Sequence, residues 1–346
     1  MTRKEAIRRL IERKPVGYTP HQFGFTLKIA DDLARYYGIS SDEVEEFIGN
    51  HMLYLVYDAP DGRQSGYRVQ DNDGIYVDEF GVAWDNSRLY NIGDWGIVDH
   101  PIKNLDADGY KFPDGRGDGR FIKAEKDMER FPDRFNVLRM TGLFDNGWHL
   151  TGLEDFMVAM LTEEELTNNI LDHCTEYMIN IIRSAPEGID AVRFIEDWGM
   201  QKGLLFSREL WLRYLQPRLK LIHAACRERG FYVMHHTCGD VTDLFDDIID
   251  LGVDVLDSIQ PESMDIAELK RKYGGRIIFF GGLGAQSTIP NGTPEDVVAE
   301  AERAIDILGK NGGYIIGPAG TFSNDTPIEN VAALAEFCMQ LRERGR

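Results

Sequence analysis

From about residue 134 onward, short apolar runs rich in β-branched and aromatic residues alternate with stretches of helical periodicity. The runs are RFNVLRMTG (134–142), AVRFIED (191–197), YVMHHTCG (232–239), VDVLDSI (253–259), RIIFFGGL (276–283) and GGYIIGPAG (312–320). Apolar runs separated by helix-length segments predict buried strands paired in parallel through right-handed helical crossovers. Helix starts are marked between them. Thr162-Glu-Glu-Glu165 and Thr326-Pro-Ile-Glu329 have the capping-box form, the second with Pro327 at the first helical position, and Thr293-Pro-Glu-Asp296 imitates it.

Two architectures satisfy this rhythm, a closed (β/α)8 TIM barrel and an open doubly wound sheet. The open sheet usually carries a glycine-rich phosphate loop after its first strand. Neither G-x-G-x-x-G nor G-x-x-x-x-G-K-[ST] occurs here between a strand and a helix. The expectation is therefore an α/β (β/α)8 barrel, and a single domain over residues 1–346, because no linker or low-complexity tract divides the chain. A barrel core of about 250 residues leaves a surplus. The N-terminal helical pattern MTRKEAIRRLIERKP and an Asp- and Gly-rich insertion at about 60–130, read as hairpins and loops over one end, take it up.

Composition narrows the function. The 346 residues are 43% hydrophobic, enough for a sizeable core, and 38 Lys and Arg against 58 Asp and Glu leave a net charge of −20. With no basic cluster to offset that charge, nucleic acid is excluded as a partner. No run approaches the ~18 apolar residues of a membrane helix, and the N-terminus lacks a signal-peptide hydrophobic region, so a soluble, cytoplasmic protein is expected. Four cysteines without close pair spacing fit a reducing compartment. Cys174, Cys226 and Cys338 lie in helical patterns among apolar neighbours and read as small buried hydrophobes. Cys238 does not.

In a barrel the reactive groups sit where strands end. Residues two apart in extended backbone share a face, so His236 and Cys238 would present an imidazole nitrogen and a sulfur to one point at the mouth, a two-ligand start on a zinc site. The competing reading is a packed histidine beside a buried cysteine. His235 faces the other way and reads as structural. Glu196 and Asp197 end the AVRFI strand; either offers a third metal ligand or a proton donor, and either alternatively caps a turn. Gln260 and Gln286 follow strand ends as candidate substrate hydrogen-bonders. Phe23, Phe25, Phe144, Trp148 and Trp198 would wall an apolar pocket suited to a ring, or simply pack in the core.

HTCG at 236–239, the segment DVTDLFDDIIDLGVDVLDSIQPESMDIAELKRKYGGRIIFFGGLGAQSTIPNGTPEDV after it, and GGYIIGPAG with DTPIENV resemble the uroporphyrinogen decarboxylase superfamily. The resemblance covers roughly residues 134–346, and DEFGVAW (78–84) more loosely. Within the superfamily the chain is most similar to the cobalamin (corrinoid)-dependent methyltransferases and their O-demethylase branch. That resemblance implies a (β/α)8 barrel, Zn2+ on a His-x-Cys pair plus a later Cys, and a corrinoid carried by a separate partner protein. The pair falls on His236 and Cys238, but Gly320 stands where the later Cys would be, and glycine cannot ligate. The implied zinc would then rest on His236, Cys238, Glu196 or Asp197, and water or substrate. Uroporphyrinogen decarboxylases themselves need no metal and hold their substrate with an Arg-rich N-terminal segment; PVGYTPHQFGFTLK (15–28) offers no such arginines.

The expected activity is thus methyl transfer from a small methoxylated, aromatic substrate to the Co(I) corrinoid, with Asp197 or Glu196 as catalytic acid and Gln260 beside the ring. The rivals are a methylamine or methylthiol donor, a metal-free decarboxylase, and a non-catalytic small-molecule-binding barrel. A homodimer is left open.

Overall fold

The computed structural model describes residues 1–60, 74–85 and 96–345. Within the insertion expected at 60–130, positions 61–73 and 86–95 lie outside the described residues. Seven strands form one parallel sheet: β1 (Met52–Leu55), β2 (Phe135–Thr141), β3 (Ala191–Ile195), β4 (Tyr232–His236), β5 (Val255–Ile259), β6 (Ile278–Leu283) and β7 (Tyr314–Pro318). Each pairs with its neighbours in chain order, the arrangement of a (β/α)8 barrel.

Alternation along the strands decides what faces inward. Met52, Phe135, Val137, Ala191, Met234, Val255, Ile278, Phe280 and Ile315 form one apolar cluster in the barrel interior. The N-terminal helix Arg3–Ile11 adds Ile7 and Leu10 to that cluster and so closes the N-terminal end of the barrel. Thr2 caps the helix, and the ion pairs of Arg3 with Asp133 and of Arg8 with Asp190 fasten it beside β2 and β3. Outward-facing strand residues pack instead under helices such as Glu164–Ser184, Gln216–Glu228, Pro294–Leu308 and Ile328–Arg344.

The eighth barrel position is not a regular strand. Residues 20–22 run parallel to β7, with the Gln22 N–H donating to the Ile316 carbonyl at 3.0 Å and the Ile316 N–H to the Pro20 carbonyl at 2.9 Å, and Gly24–Phe25 pair in parallel with Thr321–Phe322 beyond it. Toward β1 the backbone ladder is replaced by side-chain amides. Asn50 accepts from the Phe23 N–H and donates to the Phe23 carbonyl, both at 3.0 Å, and Gln22 accepts from the Met52 N–H at 2.7 Å. These buried amides satisfy strand groups that would otherwise be orphaned.

Thr293 makes its capping box with Asp296. The other two expected caps shift by one residue. Thr162 is the last residue of helix Leu153–Thr162, its hydroxyl donating to the Val158 carbonyl, and Glu163 caps the next helix. Pro327, rather than Thr326, is the cap of Ile328–Arg344. Among the described residues, the insertion holds antiparallel pairing of the expected hairpin kind, a three-stranded sheet (Ile75–Val77, Ala83–Asp85, Ile97–Asp99), and in addition a helix, Ile122–Arg130. It is anchored by the buried Arg120–Glu79 ion pair and by the Trp84 indole N–H donating to Asp78 at 2.8 Å. No helix among the described residues is long and apolar enough to cross a membrane.

Candidate metal centre

The C-terminal ends of β3 and β4 are tied together by reciprocal bonds. The Trp198 N–H donates to the Thr237 hydroxyl at 2.9 Å, and the Cys238 N–H donates to the Asp197 carboxylate at 2.8 Å. Gly239, at φ 79°, permits this approach: a Cβ there would lie 2.4 Å from the Gly199 carbonyl carbon. The consequence is a fixed trio. One ligand atom each from Asp197, His236 and Cys238 lies within 4.8 Å of the others, and all three residues are partly open to solvent.

The donor set fits zinc. His236 Nε2 and Cys238 Sγ are 3.5 Å apart. Bonds of about 2.3 Å to sulfur and 2.0–2.1 Å to nitrogen at a tetrahedral angle would place those atoms about 3.5 Å apart. Burial, and then the charges of Asp197 and Asp257, push the Cys238 thiol well above its ordinary range, while Arg193 opposes them. The cluster is therefore over-supplied with acidic groups and would be relieved by a cation. Gly320, at φ 109°, has nothing within 4 Å of where a Cβ would project.

Behind His236 stand two residues that the sequence reading did not single out. Asp257 Oδ2 is 3.2 Å from His236 Nδ1, and Arg193 reaches the same nitrogen with Nη2 at 3.0 Å. Arg193 and Asp257 are also paired to each other, with Nε donating to Oδ2 at 2.6 Å. Burial raises the Asp257 carboxyl, but Arg193 and His236 together hold it below its usual value. Asp145 is a third addition. Burial, and then Asp197 and Glu196, push its carboxyl well above the usual range, and the Trp148 indole donates to it at 2.9 Å. The available signal was a charged residue inside an otherwise apolar strand, Arg193 in AVRFI and Asp257 in VLDSI.

Glu196 is not brought to the trio. Its side chain is fully buried on the opposite side of the strand end, where it accepts from the Phe144 N–H at 2.8 Å and so caps helix Leu143–Thr151. A Cβ on Gly142 would collide with it, so Gly142 is what makes room. Gln260 accepts from the Gly239 N–H and so shapes the Cys238 loop. Gln286 has its own N–H held by Glu262. Phe23, Phe144, Trp148 and Trp198 are buried core residues: Phe144 packs against Phe156 and Phe206, and Trp198 against Trp211 and His235. Phe25 alone of the five aromatics is half-buried, stacked on Phe322. His235 is fully buried, 3.0 Å from His223 Nε2.

The sequence matches a known family. The family model described as uroporphyrinogen decarboxylase (URO-D) matches residues 141–341, and the chain belongs to that family. Among curated relatives, the Methylcobamide:CoM methyltransferase MtbA of Methanosarcina acetivorans is 25% identical over 247 residues, covering 69% of this chain and 70% of the relative. The uroporphyrinogen decarboxylase of Azoarcus sp. is 27% identical over 177 residues, 50% of this chain and 47% of that protein. A solved structure, a methyltransferase from Methanosarcina mazei, superposes with a TM-score of 0.73 over 99% of both chains at 19% identity, a likeness of fold.

Proposed function

We propose that this chain is the substrate-side methyltransferase of a corrinoid-dependent demethylation system, acting on a methoxylated aromatic. The observation that carries the reading is the 3.5 Å edge between His236 Nε2 and Cys238 Sγ with Asp197 beside it, facing the mouth of the barrel. Zinc held there would act as a Lewis acid toward the leaving oxygen, and the Co(I) corrinoid of a separate protein would be the methyl acceptor. The chain's own residues do the rest. Asp197 is held by the Cys238 N–H, which fixes its carboxylate beside the other two donors. Asp257 orients the imidazole. In the transfer, the methyl carbon leaves its ether oxygen, the C–O electron pair stays on that oxygen as a phenolate, and the methyl group passes to the acceptor.

A methylated thiol as donor is the second reading, supported by the name of another relative, the Methylated-thiol--coenzyme M methyltransferase of Methanosarcina mazei, 23% identical over 201 residues. The ligand set argues for the ether. With Gly320 in place of a second cysteine and Asp197 supplying oxygen, the site is harder and more electrophilic than one with two thiolates.

The test mixes the zinc-loaded protein with cob(I)alamin and, separately, a methoxybenzene, methanethiol and monomethylamine, and follows methylcobalamin by absorbance. Methylation from the ether supports the reading. Methylation only from the thiol or the amine, or from none, overturns it.

A further inference from the structure

The N-terminal end of the barrel, opposite the metal centre, holds a cavity of about 450 Å3 between the loop after helix Arg3–Ile11 and the loop before β7. Arg13, Lys14 and Tyr18 line it from the first loop, and Asn311, Gly312 and Gly313 from the second. In a chain of net charge −20, most cations at this end have acidic partners: Arg3 pairs with Asp133, Lys4 and Arg8 with Asp190, and Lys14 with Glu12 at 2.6 Å. Arg13 does not. Among the described residues its hydrogen bond goes to the Gly274 carbonyl at 2.9 Å, and Glu12, its chain neighbour, is taken by Lys14 and by the Tyr232 hydroxyl.

The backbone of Arg13 is held where a side chain is costly. It follows the C-terminus of its helix at φ 59°, the left-handed position that glycine usually fills, at about 1 kcal/mol. Gly313, at φ 81°, lies under the guanidinium: a Cβ there would collide with Arg13 Nη1. Behind the same glycines, Lys270 on helix Ile266–Tyr273 donates to the Gly312 carbonyl at 2.7 Å. Burial, and then Arg13, bring the Lys270 ammonium down to about 8. Although Arg13 is exposed as a whole, desolvation by the loops it rests on lowers its guanidinium as well. Glu268, the acidic residue of the Lys270 helix, is committed to Arg271 and Lys272. Two neighbouring cations, one of them lining open volume, form a site short of negative charge.

We propose that this cavity binds the phosphate group of a small phosphate monoester, with Arg13 contacting the oxyanion and Lys270 adding its charge from behind Gly312 and Gly313. A guanidinium fork matches a phosphate bidentately, and a dianion offsets two separate positive charges. A bare phosphate is much smaller than the cavity, and Leu10 and Val16 supply an apolar wall for an organic body. The site lies apart from the strand ends that carry His236 and Cys238 and does not depend on the methyl-transfer reading.

The experiment titrates the full chain, as purified, with inorganic phosphate and with phenyl phosphate at constant ionic strength, by calorimetry and by amide NMR spectra. Inorganic phosphate binds saturably and shifts the amides of Gly312 and Gly313, and phenyl phosphate binds more tightly at the same place. Arg13→Gln weakens both by roughly tenfold, the loss of one charge-assisted pair, and Lys270→Gln weakens them by a smaller factor. The amide shifts are read in the unaltered protein, so they test the site whether or not the variants fold. An absence of saturable binding, shifts confined to the surroundings of His236 and Cys238, or undiminished affinity in folded Arg13→Gln would overturn the proposal.

Discussion

Asp257 Oδ2 lies 3.2 Å from His236 Nδ1, on the side of the ring away from Cys238. For Nε2 to offer its lone pair to a metal, the ring proton must sit on Nδ1, and Asp257 accepts the hydrogen bond from it. Arg193, 3.0 Å from the same nitrogen, only donates and favours the opposite tautomer. Asp257 therefore selects the ligating form of His236. Asp257→Asn is expected to weaken zinc binding roughly ten- to hundredfold, as other carboxylates behind a ligating histidine do. Competition with a chelator of known affinity measures it; an unchanged dissociation constant would remove Asp257 from the site.

The acid–base state of Cys238 gives a second prediction. Burial and the charges of Asp197 and Asp257 keep the thiol protonated at neutral pH, so zinc must displace that proton. Zinc affinity should rise with pH, about tenfold per unit between pH 6 and 8, and Cys238→Ser should flatten the slope. Titrations in buffers of differing ionisation enthalpy count the protons released. A pH-independent affinity would mean that Cys238 is not a thiolate ligand.

Glu196 makes a third. Burial raises its carboxyl to about 7, against the N–H of Phe144, which lowers it. A carboxyl whose folded value is raised contributes stability that is complete below its unfolded value near 4.5 and is lost as pH climbs through about 7. The loss is on the order of 3 kcal/mol. Glu196→Gln keeps the cap and cannot ionise, so the variant should gain stability relative to the wild type as pH rises from 5 to 8. Denaturant melts at those two pH values decide it: a constant difference between the proteins would refute the assignment.

The sequence was informative where chemistry and periodicity coincide. Six strand-like runs from residue 134 onward correspond to β2 through β7, because strands buried on both faces leave continuous apolar signatures. The two-residue spacing of His236 and Cys238 carries directly into a shared face. The sequence reading left Glu196 and Asp197 as equal candidates, and the structure separates them, with Asp197 beside His236 and Cys238 and Glu196 buried against the Phe144 N–H. The eighth barrel position was not legible. Residues 20–25 hold neither an apolar run nor an alternation, and their pairing depends on Asn50 and Gln22 side chains that only the tertiary fold brings close. For the aromatics the sequence left pocket wall and core packing open, and Phe23, Phe144, Trp148 and Trp198 are buried.

The central claim is that His236 and Cys238 grip a zinc ion, and elemental analysis tests it most directly. Wild-type protein purified without chelators, alongside a His236→Ala/Cys238→Ala double variant, is dialysed extensively and assayed for zinc by mass spectrometry. Close to one zinc per wild-type chain and almost none in the folded variant is the predicted result; equal zinc in both preparations, or none in either after zinc is supplied, would contradict it.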